Sequence, residues 1–139
     1  MKPIVLDSWA LLAYLKGEPA AAAVEQLLQS ATDGECQLFL CVVNWGEVYC
    51  TMLRAASGRP DADLAMAELA QLPIDLIPVE ADLALVRQAA VFKAGHKLAY
   101  ADAFAAALAK LRKAELVTGD PEFKALSREI NIRWLPVDA

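Results

Sequence analysis

Short apolar runs separated by longer helical segments constrain this chain more than any other feature. Pro3–Leu6, Gln37–Cys41, Ile74–Val79, Glu115–Thr118 and Ile132–Leu135 read as strands. Between them, residue periodicity and capping signals predict helices at about Trp9–Lys16, Pro19–Ala31, Val43–Ser57, Asp61–Leu72, Ala81–Ala94 and Leu98–Lys113, with a short one at Glu122–Leu126. Ser8 is placed to cap the first helix, and Pro19 to open the second. Trp45, Val48, Tyr49, Met52, Leu53 and Ala56 form an apolar stripe at helical spacing, and Gly58-Arg59-Pro60 breaks that helix. Short apolar strands alternating with helices imply a parallel sheet covered on both faces, so the expected class is α/β. At 139 residues the chain is long enough for one domain, taken here as 1–139. Ligands of such sheets bind at the carboxyl ends of the strands, at a topological switch point.

Several carboxylates fall where that rule looks for them. Asp7 ends the first strand, and Asp120 stands two residues past the fourth. If those strands are neighbours, both acids lie at one edge of the sheet; either alone reads equally well as a helix cap. Asp102 is the only charged side chain from Leu98 to Ala109. A helix apolar on nearly all faces is largely buried, and a buried carboxylate costs several kcal/mol, on the order of an unpaired ion's penalty, unless something compensates it. No Lys or Arg stands one turn away on either side. Compensation must come from elsewhere in the fold or from a metal. Glu47 points about half a turn from its helix's apolar stripe and, on periodicity alone, reads as a solvated glutamate. Asn44 lies one turn before it. Carboxylates with no His or Cys partner make an oxygen-rich site of the kind that suits Mg²⁺ or Mn²⁺ and serves phosphoryl chemistry.

The bulk charge, −5, argues against a nucleic-acid binder, but its distribution is uneven. Residues 1–86 carry a net −8 and residues 87–133 a net +4, which allows a basic surface in the last third. Three cysteines without C-x-x-C spacing, together with one histidine, do not make an ordinary zinc site. Cys36, Cys41 and Cys50 read as small packing residues. Asp7 interrupts the N-terminus before a secretory apolar segment forms, and the longest uncharged run, Cys36–Gly46, is too short to cross a bilayer. The expectation is a soluble, cytoplasmic protein with no membrane partner.

Four pieces of the chain, in order, resemble the PIN-domain ribonucleases, and within them the VapC-type toxins of toxin–antitoxin pairs. They are Val5-Leu-Asp7-Ser8, Val43-Asn-Trp-Gly-Glu47-Val, Leu98-Ala-Tyr-Ala-Asp102-Ala-Phe and Thr118-Gly-Asp120-Pro-Glu-Phe123. The resemblance implies a three-layer α/β/α sandwich with a central, mainly parallel sheet of four to five strands. It also implies catalytic, metal-holding carboxylates at Asp7, Glu47, Asp102 and Asp120, which decides Glu47. Ser8, Asn44 and Thr118 occupy positions that in the family shape the site or hold water. Some members carry a further acid one turn after the third carboxylate; Ala106 stands there in this chain. The implied activity is Mg²⁺- or Mn²⁺-dependent endonucleolytic cleavage of RNA, such as tRNA or rRNA, within single-stranded loops. The implied partners are a cognate antitoxin and a second copy of the chain.

Setting the four acids aside as ligands leaves 13 basic and 14 acidic residues, a balance that no longer opposes RNA. Lys93, Lys97, Lys110, Arg112, Lys113 and Arg128 are candidates for phosphate contacts. Trp9 and Trp45 are candidates for base stacking, with core packing the stronger reading. His96 reads as a turn or surface residue. Two other classes compete. A phosphatase or receiver domain also places an acid after its first strand, but Trp9 stands where the phosphatase wants a second Asp, and Asp75 lies near the start of the third strand, not its end. A non-catalytic interaction module of the same fold is the remaining alternative, and the presence of all four acids argues against it.

Overall fold

The computed structural model describes residues 1–55 and 59–137. The chain begins with β1 (Lys2–Leu6), α1 (Ser8–Leu15), α2 (Ala21–Thr32), β2 (Cys36–Cys41), α3 (Val42–Ala55) and α4 (Arg59–Ala70). It continues with β3 (Ile74–Ile77), α5 (Ala84–Gly95), α6 (Tyr100–Arg112), β4 (Glu115–Thr118), a 3-10 helix (Pro121–Leu126) and β5 (Asn131–Trp134). The strands form one sheet in the order β3-β2-β1-β4-β5, and every pairing is parallel. The chain leaves β1 toward β2 and β3, then crosses back to β4 on the other side. The switch point therefore lies between β1 and β4, the two strands that lead into Asp7 and Asp120.

Side-chain alternation divides the interior into two cores. Ile4, Leu6, Leu38, Leu40 and Val117 pack on one face against Leu11 of α1, Val24 and Leu28 of α2, Val48 of α3 and Met66 of α4. Val5, Phe39, Cys41 and Leu116 face the other way, against Leu85 and Phe92 of α5, the length of α6, and Phe123. Every second residue of a strand turns to the same face, so continuous apolar strands fill both layers. This is the expected three-layer sandwich. Helix α6 is buried from Asp102 to Ala109, as its composition implied. Its five alanines in that stretch let the helix lie close to the sheet.

Several boundaries move for physical reasons. Asp7, not Ser8, caps α1: its Oδ1 accepts the Ala10 N–H at 2.9 Å, and Ser8 becomes the first helical residue. Arg59 and Pro60, read as a breaker, open α4, because proline is tolerated in a first helical turn. The expected end of α3, with Ala56, Ser57 and Gly58, lies outside the described residues. Strand β3 stops at Ile77 before Pro78, and α5 starts at Ala84, after a left-handed Leu83. Cys36 and Cys41 are buried as expected, but Cys50 is exposed: it sits on the outer face of α3 and packs against no core.

Phe123 is fully buried and ties the 3-10 helix to the α6 face of the sheet. Replacing it with alanine leaves a cavity and is expected to cost about 3–5 kcal/mol. Urea unfolding of Phe123→Ala against the parent chain measures this directly.

Candidate metal centre

Four elements deliver carboxylates to the carboxyl edge of the sheet. Asp7 terminates β1 and is fully buried. Its Oδ1 is held by the Ala10 N–H, and its Oδ2 accepts the Thr118 hydroxyl at 2.5 Å from the end of β4. Thr118 Oγ1 in turn accepts the Asp120 N–H at 3.0 Å. Asp120 caps the 3-10 helix by accepting the Glu122 N–H on Oδ1 at 3.0 Å. Asp102 sits in the first turn of α6, at the positive end of that helix, and is 8% exposed. Glu47, one turn into α3, is half-buried.

Asp102, Asp120 and Glu122 each offer a ligand atom, and these atoms lie within 4.8 Å of one another. Asp7 and Glu47 are not in that tight group, yet their charges act on it. Burial pushes the Asp102 carboxyl up to about 7, and the negative charges of Asp120, Glu47, Asp7 and Glu122 push in the same direction. Burial also lifts Asp7 to about 7. The bonds from Thr118 and Ala10 pull Asp7 down, while Asp120 and Glu47 oppose them. The negative charges of Glu47 and Asp120 thus act on both Asp7 and Asp102.

The supporting residues form a buried hub. Asn44 Nδ2 donates to Ser8 Oγ at 3.2 Å and to the Ala101 carbonyl at 3.0 Å, binding α3 to the starts of α1 and α6. Ser8 Oγ lies 3.4 Å from the Asn44 carbonyl. Asn44 Oδ1 is buried and has no hydrogen-bond partner among the described residues. A divalent oxygen-seeking cation fits these residues on chemical grounds. The donors are all oxygen, two carboxyls are strongly destabilised as anions, and one buried oxygen lacks a donor.

Glu122 was not among the expected site residues. The available signal was Asp120-Pro-Glu: a capping Asp that accepts the N–H two residues on turns that side chain back toward the cap. The basic residues meet different fates. Lys110 pairs with Glu129 at 3.8 Å and lies over the Phe92 ring. The Arg112 guanidinium stacks 4.6 Å from the Phe39 ring centroid. Both belong to the last turns of α6, whereas Asp102 is in its first. Lys113 and Arg128 line a surface hollow of about 250 Å³ beside that same helix end. His96 faces Glu129 at 3.4 Å, a surface role as expected. Trp9 and Trp45 both pack against the core.

The PIN domain family model matches residues 4–129. A search of curated protein sequences returned no match. Among solved structures, the chain is similar to VapBC2 from Rickettsia felis bound to a promoter DNA fragment, with a TM-score of 0.74 and 12% identity over 96% of this chain and 99% of that one. It is similar to DNA-bound VapBC from Salmonella typhimurium, with a TM-score of 0.71 and 16% identity over 96% and 98%. It is also similar to Mycobacterium tuberculosis VapC20, a toxin that cleaves the sarcin-ricin loop, with a TM-score of 0.65 and 19% identity over 88% and 93%. With a family match that reaches four of its five strands and every one of its clustered acids, the chain belongs to the PIN domain family.

Proposed function

We propose that this protein is a divalent-metal-dependent endoribonuclease and the toxin of a toxin–antitoxin pair. The observation that carries the reading is the gathering of Asp102, Asp120 and Glu122 at the sheet's switch point, with the negative charges of Asp120 and Glu47 acting on both Asp7 and Asp102. These five side chains would hold Mg²⁺ or Mn²⁺. Such an ion, when bound, polarises a phosphodiester and promotes its attack by water.

The chain's own residues do the rest. Thr118 fixes one carboxylate oxygen of Asp7 and the backbone of Asp120 at once, so two ligands share one anchor. Asn44 locks the entry of α3 onto α6 and so sets Glu47 relative to Asp102. Asp102 is buried at a helix start and its carboxyl is raised to about 7, so holding a cation there would be linked to loss of its proton. Asp120 and Glu122 stand at the more open rim, where a substrate phosphate would arrive.

The substrate is RNA with unstacked loops, of the tRNA or rRNA type; the similarity to a toxin that cuts the sarcin-ricin loop supports this choice. The similarity to VapBC complexes supports a cognate antitoxin that masks the acidic edge. Exposed Leu53, Leu64 and Val91 offer apolar surface for that antitoxin and for a second copy. Among the described residues no helix is long and apolar enough to cross a membrane.

Purified chain, freed of any antitoxin, is expected to cut total RNA at discrete sites with Mg²⁺ or Mn²⁺. EDTA should abolish the cutting, and added metal should restore it. Cleavage indifferent to EDTA overturns the metal assignment. Expression alone is expected to arrest growth and to be rescued by the neighbouring small gene; harmless expression with no copurifying partner overturns the toxin role.

A further inference from the structure

Gly119 separates Thr118 from Asp120, and the backbone at that position does not need a glycine. Its φ lies outside the left-handed region, where among the described glycines only Gly17 and Gly34 are found. What requires glycine is space. The Cη2, Cζ3 and Cζ2 atoms of Trp9 occupy the volume that a Cβ on Gly119 would take. The benzo ring of Trp9 is laid flush against the turn that carries Asp120. Trp9 itself stands in the first turn of α1, two residues after Asp7, and is half-buried against the core of that face.

We infer that Trp9 is a positioning residue for the metal centre: its ring clamps Gly119 and so holds the Thr118–Asp120 turn in the register that sets Asp120 beside Asp102 and Glu122. This rests on the metal-centre reading above. The side-chain hydrogen bonds of Thr118 and Asp120 run within the turn and to Asp7, and the Thr118 carbonyl is held on the other side by the Leu135 N–H at 2.8 Å. The indole plate adds what they lack, a rigid stop on the side of the turn facing α1. A large aromatic with two torsions supplies such a stop at low entropic cost. Because Trp9 and Asp7 share one helical turn, the stop also ties the rim acids to the buried one.

The test is calorimetric titration of Mn²⁺ into the intact chain, its Trp9→Ala, Trp9→Phe and Gly119→Ala variants, each also followed by thermal melting. Loss of a group that orients a metal ligand typically weakens metal affinity about 10–100-fold. Trp9→Ala and Gly119→Ala are expected to fall in that range. Trp9→Phe, whose shorter ring lacks the outer benzo atoms that meet Gly119, is expected to fall between Trp9→Ala and the parent. A purely structural role would lower the melting temperature and leave the dissociation constant of the folded protein unchanged. Where Trp9→Ala does not fold, Gly119→Ala carries the same expectation, since it keeps the indole and displaces it. Parent-like Mn²⁺ affinity in a folded Trp9→Ala or Gly119→Ala variant overturns the clamp alone. A parent chain that binds no Mn²⁺ overturns the metal-centre reading, and the clamp with it.

Discussion

Asp7→Asn is expected to lower metal-dependent RNA cleavage by more than about 100-fold, because even residues that only orient a metal ligand cost 10–100-fold. The same variant is expected to fold, and at pH 8 without metal to melt no lower than the parent. Both halves follow from its surroundings. Asp7 is fully buried and its carboxyl is raised to about 7, so at pH 8 the fold carries an anion that burial, Asp120 and Glu47 all disfavour. Asparagine removes that charge and keeps a carbonyl oxygen for the Ala10 N–H. It also remains a good N-cap for α1. Its amide group can donate to Thr118 Oγ1 where the carboxylate accepted. Activity and stability therefore move apart, which separates a functional carboxylate from a structural one. Differential scanning calorimetry beside a gel-based cleavage assay reads both quantities. A variant that keeps full activity removes Asp7 from the site. A variant that melts much lower than the parent makes Asp7 a structural cap first.

What the sequence revealed and what it hid have physical reasons. Asp102 was legible because a charge alone in twelve otherwise apolar or aromatic positions has no solvent-facing explanation, and the helix around it is indeed buried. Asp7 and Asp120 were legible only conditionally. Their value depended on β1 and β4 being neighbours, a fact of tertiary pairing that no local pattern encodes. Glu47 was invisible to periodicity because the moment of α3 reports the core, and the site lies on another face of the same helix. Only the resemblance to known sequences singled it out. Glu122 escaped for a different reason: an exposed glutamate in a turn looks like solvent, and its relation to Asp120 is made by a cap bond. The basic residues were misleading in the other direction. Sequence placed Lys110 and Arg112 in the same helix as Asp102, but at 1.5 Å per residue they stand about 12–15 Å along the axis from Asp102. There Lys110 pairs with Glu129 and lies over Phe92, and Arg112 covers Phe39.

The metal-free chain is expected to lose stability as pH rises from about 5 to 8, and divalent metal is expected to restore it. Asp7 and Asp102 release their protons near pH 7 in the folded chain but near 3.8 when unfolded. Between those values the folded state holds protons that the unfolded state has given up. Folding is then favoured by protons, and stability falls as pH climbs through the folded pKa, by up to about 1.4 kcal/mol per pH unit for each proton retained. Below pH 3.8 both states are protonated and this contribution is fully present; above about pH 8 it is gone. A bound cation reverses the trend, because it competes with the same protons and binds more tightly as they leave. At a free concentration one hundred times its dissociation constant, Mg²⁺ or Mn²⁺ adds about 2.7 kcal/mol. For a chain of this length that is a rise in melting temperature on the order of 8 °C. The gain should be largest at pH 8, small at pH 5, and much reduced in Asp102→Asn, which removes one of the five proposed ligands. Thermal melts across pH 5–8, with EDTA and with Mn²⁺, test each arm. A metal-free melting temperature that rises toward pH 8 contradicts the burial argument for the two aspartates. A Mn²⁺ gain undiminished in Asp102→Asn places the cation elsewhere on the molecule.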